Sequence, residues 1–193
     1  MEEQTLILKC QSGDNYAFEE LLGKYEKMIY SLTYRYFGNH DDACDVGQEA
    51  MVRIYRKINE FNGNSSFKTW LYRVVVNLCL DEIRRRKHQN TSLEEIREKG
   101  YEPVSGELSP AENVENSEKA VLIQEILATL SEEHRTILIL KEIEGLDYNE
   151  ISLILSCNIG TVKSRLSRAR ESFRRKLSER PRYNILAEGR LQA

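Results

Sequence analysis

The sequence predicts an all-α protein of two small helical domains joined by a flexible acidic linker. Proline is scarce, with three among 193 residues. Apolar residues recur at steps of three and four, as in amphipathic helices, and no segment shows the alternation of a half-buried strand. One acidic stretch interrupts the helical period. We expect a first domain over residues 1–90, a linker over 91–117, a second domain with a helix-turn-helix over 118–180, and a tail without an assigned role over 181–193.

Composition argues against several classes of protein. No apolar run approaches the roughly 18 residues that a membrane-spanning helix needs, and the acidic start, Met1–Gln4, lacks the basic segment of a signal peptide. The four cysteines form no Cys-x-x-Cys pair and the three histidines are scattered, so we predict no metal site and no cofactor. We expect a cytoplasmic protein with reduced cysteines.

The net charge of −3 conceals an uneven distribution. Residues 91–118 hold eight glutamates against two basic residues, a net −6. Residues 159–182 hold nine Lys or Arg against two glutamates, a net +7, and a second basic cluster occupies 84–87. Two basic clusters indicate a polyanionic partner, although basic residues at a helix end also favour the helix dipole without any partner.

The first domain is predicted to contain about four helices. After a short first helix, Asp14 is expected to cap a second one, whose apolar period continues as a single helix to Gly38. Asp41 or Asp42 is expected to cap the third. Gly47 within that helix costs about 1 kcal/mol relative to alanine, so we expect a close approach to the backbone there. The fourth helix follows a polar loop and runs into the basic cluster.

The third and fourth predicted helices carry recognisable motifs. These are Asp42-Ala43-Cys44-Asp45-Val46-Gly47-Gln48-Glu49-Ala50, Phe67-Lys68-Thr69-Trp70-Leu71-Tyr72-Arg73 and Asn77-x-x-x-Asp81-x-x-Arg84-Arg85. Together they resemble the second conserved region of extracytoplasmic-function sigma factors, the smallest bacterial sigma-70-type initiation factors. Cys44, Val46 and Gly47 depart from the residues that are usual in the family.

The resemblance implies that the third helix docks on core RNA polymerase. Its carboxylates at Asp42, Asp45 and Glu49 lie at i, i+3 and i+7, so they share one face. An acidic, amide-bearing stripe suits a basic partner surface. The docking residues implied are Asp42, Asp45, Gln48 and Glu49. A solvated face and a metal site are the alternatives for these carboxylates.

The polar loop of the first domain has two interpretations. In the family, the matching loop captures a base flipped out of the −10 element of promoter DNA, and a polar loop offers donors and acceptors for a base edge. The same composition also suits a simple turn. Trp70 lies on the apolar stripe and is expected in the core. The residues assigned to −10 DNA are Phe61, Asn62, Gly63, Asn64, Ser65, Asn77, Arg84 and Arg85.

The second domain is predicted to contain a helix-turn-helix. An apolar helix over 120–130 is followed by Ser131, a suitable cap for the next helix. Asp147 and Glu150 have the spacing of a capping box, which begins the first helix of the motif. After a tight turn, a helix over 160–177 carries most of the positive charge. Two helices joined in this way are typical of DNA-binding proteins.

The motifs of this domain resemble the fourth conserved region of the same family. They are Leu130-Ser131-x-x-x-Arg135, Glu144-Gly145-Leu146-Asp147-Tyr148-x-Glu150-Ile151 and Gly160-Thr161-Val162-Lys163-Ser164-Arg165-Leu166-x-Arg168-Ala169-Arg170. The start of a recognition helix reaches the major groove, where arginine binds guanine through two hydrogen bonds. The residues assigned to the −35 element are Thr161, Lys163, Ser164, Arg165 and Arg168. Basic residues further along the helix suit phosphates or solvent.

The sequence therefore predicts an alternative sigma factor that binds core RNA polymerase and directs transcription initiation at promoters with matching −10 and −35 elements. Promoter DNA is the second partner. The resemblance implies an anti-sigma factor as a third, which would hold the cytoplasmic chain at the membrane while bound, and it implies that the chain has no active site of its own. Two alternatives remain. A stand-alone helix-turn-helix regulator would bind promoters without polymerase, and a metal-dependent nuclease would use the carboxylates of Asp42, Asp45 and Glu49.

Overall fold

The structure is a computed structural model that describes residues 2–94 and 114–180, so the predicted tail over 181–193 lies outside the described residues. Every regular element within these ranges is helical, which confirms the all-α class. No helix in the described part of the chain combines the length and apolar character needed to cross a membrane. The four cysteines are free thiols.

The chain divides into two compact units, Met1–Leu108 and Ser109–Ala193. Helices enter the predicted linker from both sides, because one continues to Glu94 and the next begins at Val114. The rest of the predicted linker lies outside the described residues.

Unit 1 contains five helices in its described range. They are α1 (Glu3–Gln11), α2 (Asn15–Gly23), α3 (Glu26–Phe37), α4 (His40–Lys57) and α5 (Phe67–Glu94). A short 3-10 turn, Ile58–Glu60, follows α4. The helix α3 packs against α4 and α5, and α1 packs against α2. Fully buried apolar side chains at these contacts form the core of the unit, among them Leu6, Leu21, Ile29, Leu32, Ile54 and Leu71.

The single second helix predicted to run to Gly38 is wrong, because the chain breaks after Gly23. The next two amides donate to carbonyls three residues back, at 3.3 and 2.8 Å, which tightens the turn. Tyr25 explains the break: its ring packs edge-on against Phe67 with centroids 5.7 Å apart, and its hydroxyl donates to Glu3. These tertiary contacts outweigh a helical period that continues unchanged across the break.

The predicted cap of α4 is also wrong. Asn39 caps this helix, since its Oδ1 accepts the amide of Asp42 at 2.9 Å. Gly38 ends α3 in the left-handed region at φ +76°, as expected, and Asn39 follows in extended conformation. The helix therefore begins at His40, and Asp41 and Asp42 lie in its first turn.

The close approach expected at Gly47 is not present. A Cβ atom built there would lie 3.7 Å from Thr33 Oγ1, an ordinary van der Waals distance. The Thr33 hydroxyl approaches α4 because it donates to the carbonyl of Ala43 at 2.9 Å. An alanine side chain would fit at this position.

Unit 2 contains four helices in its described range. They are α6 (Val114–Thr129), α7 (Glu132–Leu138), α8 (Tyr148–Leu155) and α9 (Ile159–Ser178), and a π-helical turn, Ile139–Ile143, follows α7. The helix α9 packs against α7 and α8, so α8 and α9 form the predicted helix-turn-helix. The buried core includes Ile126, Leu127, Ile137, Ile151, Val162 and Leu166.

The predicted caps of unit 2 are confirmed. Ser131 Oγ accepts the amide of His134 at 3.3 Å, and Asp147 and Glu150 form a reciprocal capping box. One further cap was not predicted. Asn158 Oδ1 accepts the amide of Thr161 at 2.7 Å and so begins α9.

Candidate binding surfaces

The acidic stripe of α4 is divided between solvent and internal ion pairs. Asp45 and Gln48 are exposed, and Asp45 has no ion-pair partner among the described residues. Glu49 accepts a hydrogen bond from Arg53 at 3.1 Å, with a side chain that is 55% exposed. The stripe therefore presents one unpaired carboxylate, one amide and one carboxylate paired along its own helix.

Asp42 belongs to a network that joins α4 to α5. Its carboxylate lies 2.7 Å from Arg86, and the hydrogen bond from Arg86 lowers the pKa of Asp42. Arg86 also donates to Glu82 at 2.6 Å, and its guanidinium lies over the ring of Phe37, 5.0 Å from the centroid. Asp42 thus points to the basic cluster at residues 84–87 and away from the exposed part of the stripe.

Glu82 is the buried centre of this network, with a side chain only 8% exposed. Arg85 binds its carboxylate through two hydrogen bonds, at 2.7 and 2.8 Å. Hydrogen bonds from Arg85 and then Arg86 hold the pKa of Glu82 below its usual value. Two arginines of the basic cluster therefore carry internal ion pairs, a role that the sequence did not indicate.

The carboxylates of α4 do not gather as metal ligands would. In the ranges that the structure describes, no group of three or more His, Cys, Asp or Glu side chains is placed to hold a metal ion. The carboxylate of Asp42 is directed to Arg86, and that of Glu49 to Arg53. The nuclease alternative therefore has no ligand arrangement to support it in these ranges.

The polar loop rests on an aromatic base. Phe61 packs against Phe67 and Trp70, with centroids 5.3 and 5.7 Å apart, and Phe67 stacks on Trp70 at 5.6 Å. Trp70 is 4% exposed, so its predicted place in the core is confirmed. Gln11 anchors the loop from α1, because its amide donates to the carbonyls of Ile58 and Phe61 at 3.0 and 2.8 Å. Nothing in the sequence pattern pointed to Gln11.

The loop itself is a tight exposed turn. Gly63 adopts φ +76°, and the amide of Asn64 donates to Asn62 Oδ1 at 3.2 Å. Ser65 is half-buried, whereas Asn62 and Asn64 are exposed. Asn77 is exposed on α5, as are Arg84 and Arg85. The loop therefore offers amide groups above a fixed aromatic platform.

The helix α9 has distinct buried and exposed faces. Val162, Leu166 and Ala169 are buried against the rest of unit 2. On the other face, exposed or half-buried polar side chains occupy the first three turns. They are Thr161, Lys163, Ser164, Arg165 and Arg168. The five residues assigned to the −35 element thus lie together on the accessible side of α9.

The arginines of α9 differ in their partners. Arg165 forms an ion pair with Glu133 of α7, through Nε and Oε1. Arg170 donates to Glu142 through Nε and Nη2, at 2.9 and 2.7 Å. Arg168 has no partner within the described ranges. Lys163 Nζ lies 5.7 Å from the ring centroid of Tyr148, an arrangement that favours a cation–π interaction.

Two family models match the chain. Sigma-70 region 2 matches residues 21–89, and Sigma-70 region 4 matches residues 120–173. The first match contains the last three residues of α2, all of α3 and α4 and most of α5. The second contains most of α6, all of α7 and α8 and most of α9.

Curated relatives match along most of the chain. RNA polymerase sigma-H factor of Pseudomonas aeruginosa is 36% identical over 179 residues, covering 89% of this chain and 92% of that protein. ECF RNA polymerase sigma factor SigW of Bacillus subtilis is 36% identical over 180 residues, covering 90% and 95%. In both cases the match spans the whole order of predicted motifs.

A solved structure shows the same fold. The sigma factor RpoE of Bartonella quintana, in complex with the anti-sigma factor NepR, is similar with a TM-score of 0.65 at 23% identity. The likeness covers 83% of this chain and 96% of that one.

Proposed function

Since the chain belongs to the extracytoplasmic-function group of sigma-70-type RNA polymerase sigma factors and directs transcription initiation as an alternative sigma factor, we propose specific surfaces for its two tasks. Unit 1 binds core polymerase through α4 and reads the −10 element with the loop at residues 61–65. Unit 2 reads the −35 element with α9. We place the domain limits at 1–90 and 118–180, with 91–117 as the connection.

One observation supports this division most directly, namely the two-sided character of α9. Its apolar face is buried in unit 2, while its first turns present five polar or basic side chains on the accessible face. The start of a recognition helix is the part that meets base edges in a major groove. Arg165 and Arg168 are the base-reading candidates, because guanidinium forks bind guanine bidentately.

The proposed docking surface is narrower than the sequence alone suggested. Asp45, Gln48 and Glu49 form its accessible part, and a basic partner surface would be attracted to the two carboxylates. Asp42 contributes mainly by holding α4 against α5 through Arg86. The proposed −10 surface consists of the loop together with Asn77, Arg84 and Arg85 of α5. Glu82 orients Arg85 by accepting its hydrogen bond.

Two further proposals concern the regulation of this chain and its location in the cell. The Bartonella quintana relative was solved with an anti-sigma factor, which supports an anti-sigma factor as a partner of this chain also. We propose that the chain acts in the cytoplasm, where core polymerase is, and that it catalyses no reaction itself. It would contribute binding and base recognition, and polymerase would carry out the chemistry.

The experiment is run-off transcription with reconstituted holoenzyme on a panel of promoters that vary the −10 and −35 elements. Asp45→Lys should weaken core binding, since it opposes the partner's field. Arg168→Ala should cost roughly 1–3 kcal/mol of discrimination at one −35 base pair. Arg175→Ala, at an exposed position further along α9, should weaken all promoters about equally and reduce the salt dependence.

The control for docking is Asp41→Lys, which reverses a neighbouring carboxylate whose side chain is fully exposed, at 101%. It should leave core binding within about twofold of the wild type if the stripe at Asp45 is the docking surface. Equal effects at both positions would mean that α4 acts only through its overall negative charge and that Asp45 has no specific role in docking. Unchanged base preference in every α9 variant would remove the base-reading role from this helix.

A further inference from the structure

We propose that Glu133 is a positioning residue for −35 recognition, which holds the guanidinium of Arg165 in the orientation that binds a base. Glu133 lies in the first turn of α7, outside the helix-turn-helix formed by α8 and α9, and its carboxylate pairs with Nε of Arg165. The inference rests on the proposed base-reading role of α9. It extends the specificity of that helix to a residue of another element.

Glu133 is held firmly enough for this role. The helix α7 packs against α9, and Ile137 of α7 is fully buried. The start of α7 is tied to the end of α6, because Arg135 donates to the carbonyls of Leu127 and Ala128 at 2.8 and 2.6 Å. Ser131 caps the same turn. The backbone that carries the Glu133 carboxylate is therefore restrained, and the ion pair with Arg165 joins α9 to this turn.

The geometry of the pair suits a base-reading arginine. A guanidinium has five N–H donors in a planar fork, and two of them bind the O6 and N7 atoms of guanine. A carboxylate at Nε uses one donor and restricts the plane of the fork, while donors remain for a base. The long arginine side chain then loses less rotamer freedom when it binds DNA. The Arg165 side chain is 35% exposed, so part of it is accessible to DNA.

The neighbouring arginines provide a contrast. Arg170 is bound by Glu142 through both Nε and Nη2 and lies further along α9. Arg168 has no restraining partner in the described ranges. Of the three arginines, Arg165 alone combines a position in the first two turns of α9 with a carboxylate partner at Nε.

A purely electrostatic role for Glu133 makes a different prediction. A carboxylate close to a DNA-binding helix repels phosphates, so its removal would strengthen binding to all sequences to the same extent. A positioning role predicts instead a loss of preference at one base pair. The two effects can be separated by measuring base preference as well as overall activity.

The test uses holoenzyme reconstituted from core polymerase and the full chain, and measures transcription from promoters that carry each base at each −35 position. The variants are Glu133→Gln, Arg165→Ala, the double variant, and Glu142→Gln as a matched acid-to-amide control at an arginine partner. We expect Glu133→Gln to reduce discrimination roughly fivefold at the single position that Arg165→Ala also relaxes. In the Arg165→Ala background it should have no further effect on base preference.

Each other outcome decides the matter. Discrimination unchanged by Glu133→Gln but relaxed by Arg165→Ala overturns the positioning role and leaves base reading intact. Equal activation of all promoters by Glu133→Gln shows a repulsive charge only, which also overturns it. Loss of discrimination with Glu142→Gln at the same position would show a general effect of removing an acid near α9, and it would also overturn the positioning role. If Arg165→Ala relaxes no position, the proposed function of Arg165 itself is wrong.

Discussion

At the scale of single residues, Ser156 shows a local cost in the helix-turn-helix. It is the one non-glycine residue with positive φ in the described ranges, at +50°. An L-residue with a Cβ pays roughly 1–2 kcal/mol for this left-handed conformation, whereas glycine adopts it freely. We therefore expect Ser156→Gly to raise the stability of unit 2 by about 1 kcal/mol, measured as a shift in the denaturant midpoint of the full chain.

Gly145 provides the control for this prediction. It also has positive φ, at +69°, with nothing within 4 Å of a Cβ built there. Gly145→Ala should therefore lower the stability of unit 2 by about 1 kcal/mol through backbone strain alone. If Ser156→Gly destabilises the protein as well, the left-handed conformation of Ser156 is not a source of strain.

Gly47 is a position where a larger residue should be accepted. It lies in the interior of α4, where glycine costs about 1 kcal/mol relative to alanine, and the added Cβ would meet Thr33 Oγ1 at 3.7 Å. Gly47→Ala should stabilise unit 1 by up to about 1 kcal/mol in chemical denaturation. Destabilisation would mean that the helices α3 and α4 cannot accommodate a methyl group, contrary to the distance observed.

At the scale of helices, the ion-pair network between α4 and α5 should make stability depend on pH. Hydrogen bonds from arginine lower the pKa of Glu82 and of Asp42 in the folded protein. A lowered folded pKa means that the unfolded chain takes up protons first as the pH falls. The contribution is thus complete above the unfolded pKa, 4.5 for glutamate, and is lost as the pH falls through the lower folded values.

Glu82→Gln tests this contribution. Because Glu82 is buried and accepts charged hydrogen bonds, its replacement should cost about 1.5–3 kcal/mol at pH 7. The difference from the wild type should shrink as the pH falls below about 4.5. Asp81→Asn is the matched control on the same helix: its pair with Arg53 is 3.4 Å long and exposed, so it should cost under 1 kcal/mol. A constant difference for Glu82→Gln across pH would rule out the linkage.

The helices show which features a sequence can predict. Local signals were sufficient for the caps at Asp14 and Ser131 and for the capping box at Asp147 and Glu150, because each depends on residues within one turn. The break after Gly23 could not be predicted in this way. It depends on Tyr25 meeting Phe67, a contact between residues that are far apart in the chain.

The candidate surfaces follow the same rule. The spacing along the predicted recognition helix put Arg165 and Arg168 three residues apart, and both side chains are exposed or half-buried on α9. Their role at the −35 element stays a prediction. The stripe on α4 was predicted as three equivalent carboxylates, yet Asp42 is bound to Arg86 from another helix. The pair between Glu133 and Arg165 likewise joins separate helices. Partners of charged side chains depend on tertiary structure, which spacing along one helix does not contain.

At the scale of the whole molecule, charge distribution bears on when the protein binds DNA. The net charge is −3, although residues 159–182 carry a net +7. Two basic side chains of the proposed DNA surfaces are already paired with glutamates, Arg85 with Glu82 and Arg165 with Glu133. DNA binding depends on the number of cationic groups that neutralise phosphates. Pairing with glutamates lowers the number of cationic side chains that can neutralise phosphates, and the net negative charge of the protein repels DNA. Both effects weaken the attraction of the free chain to DNA.

We therefore expect the free chain to bind promoter DNA weakly, with a dissociation constant of about 10⁻⁶ M or higher, which is the non-specific range at physiological salt. With core polymerase, the assembly should bind with promoter specificity, in the range of about 10⁻⁸ M or lower. The measurement is fluorescence anisotropy of a labelled promoter duplex and a duplex with a scrambled −35 element. Both are titrated with the free chain and with holoenzyme at two salt concentrations.

The ratio of the affinity for the promoter duplex to that for the scrambled duplex should be near one for the free chain and large for holoenzyme. Tight, sequence-specific binding by the free chain would instead favour a regulator that acts without polymerase. In that case neither the ion pairs of Arg85 and Arg165 nor the negative net charge would weaken the binding of the free chain to DNA.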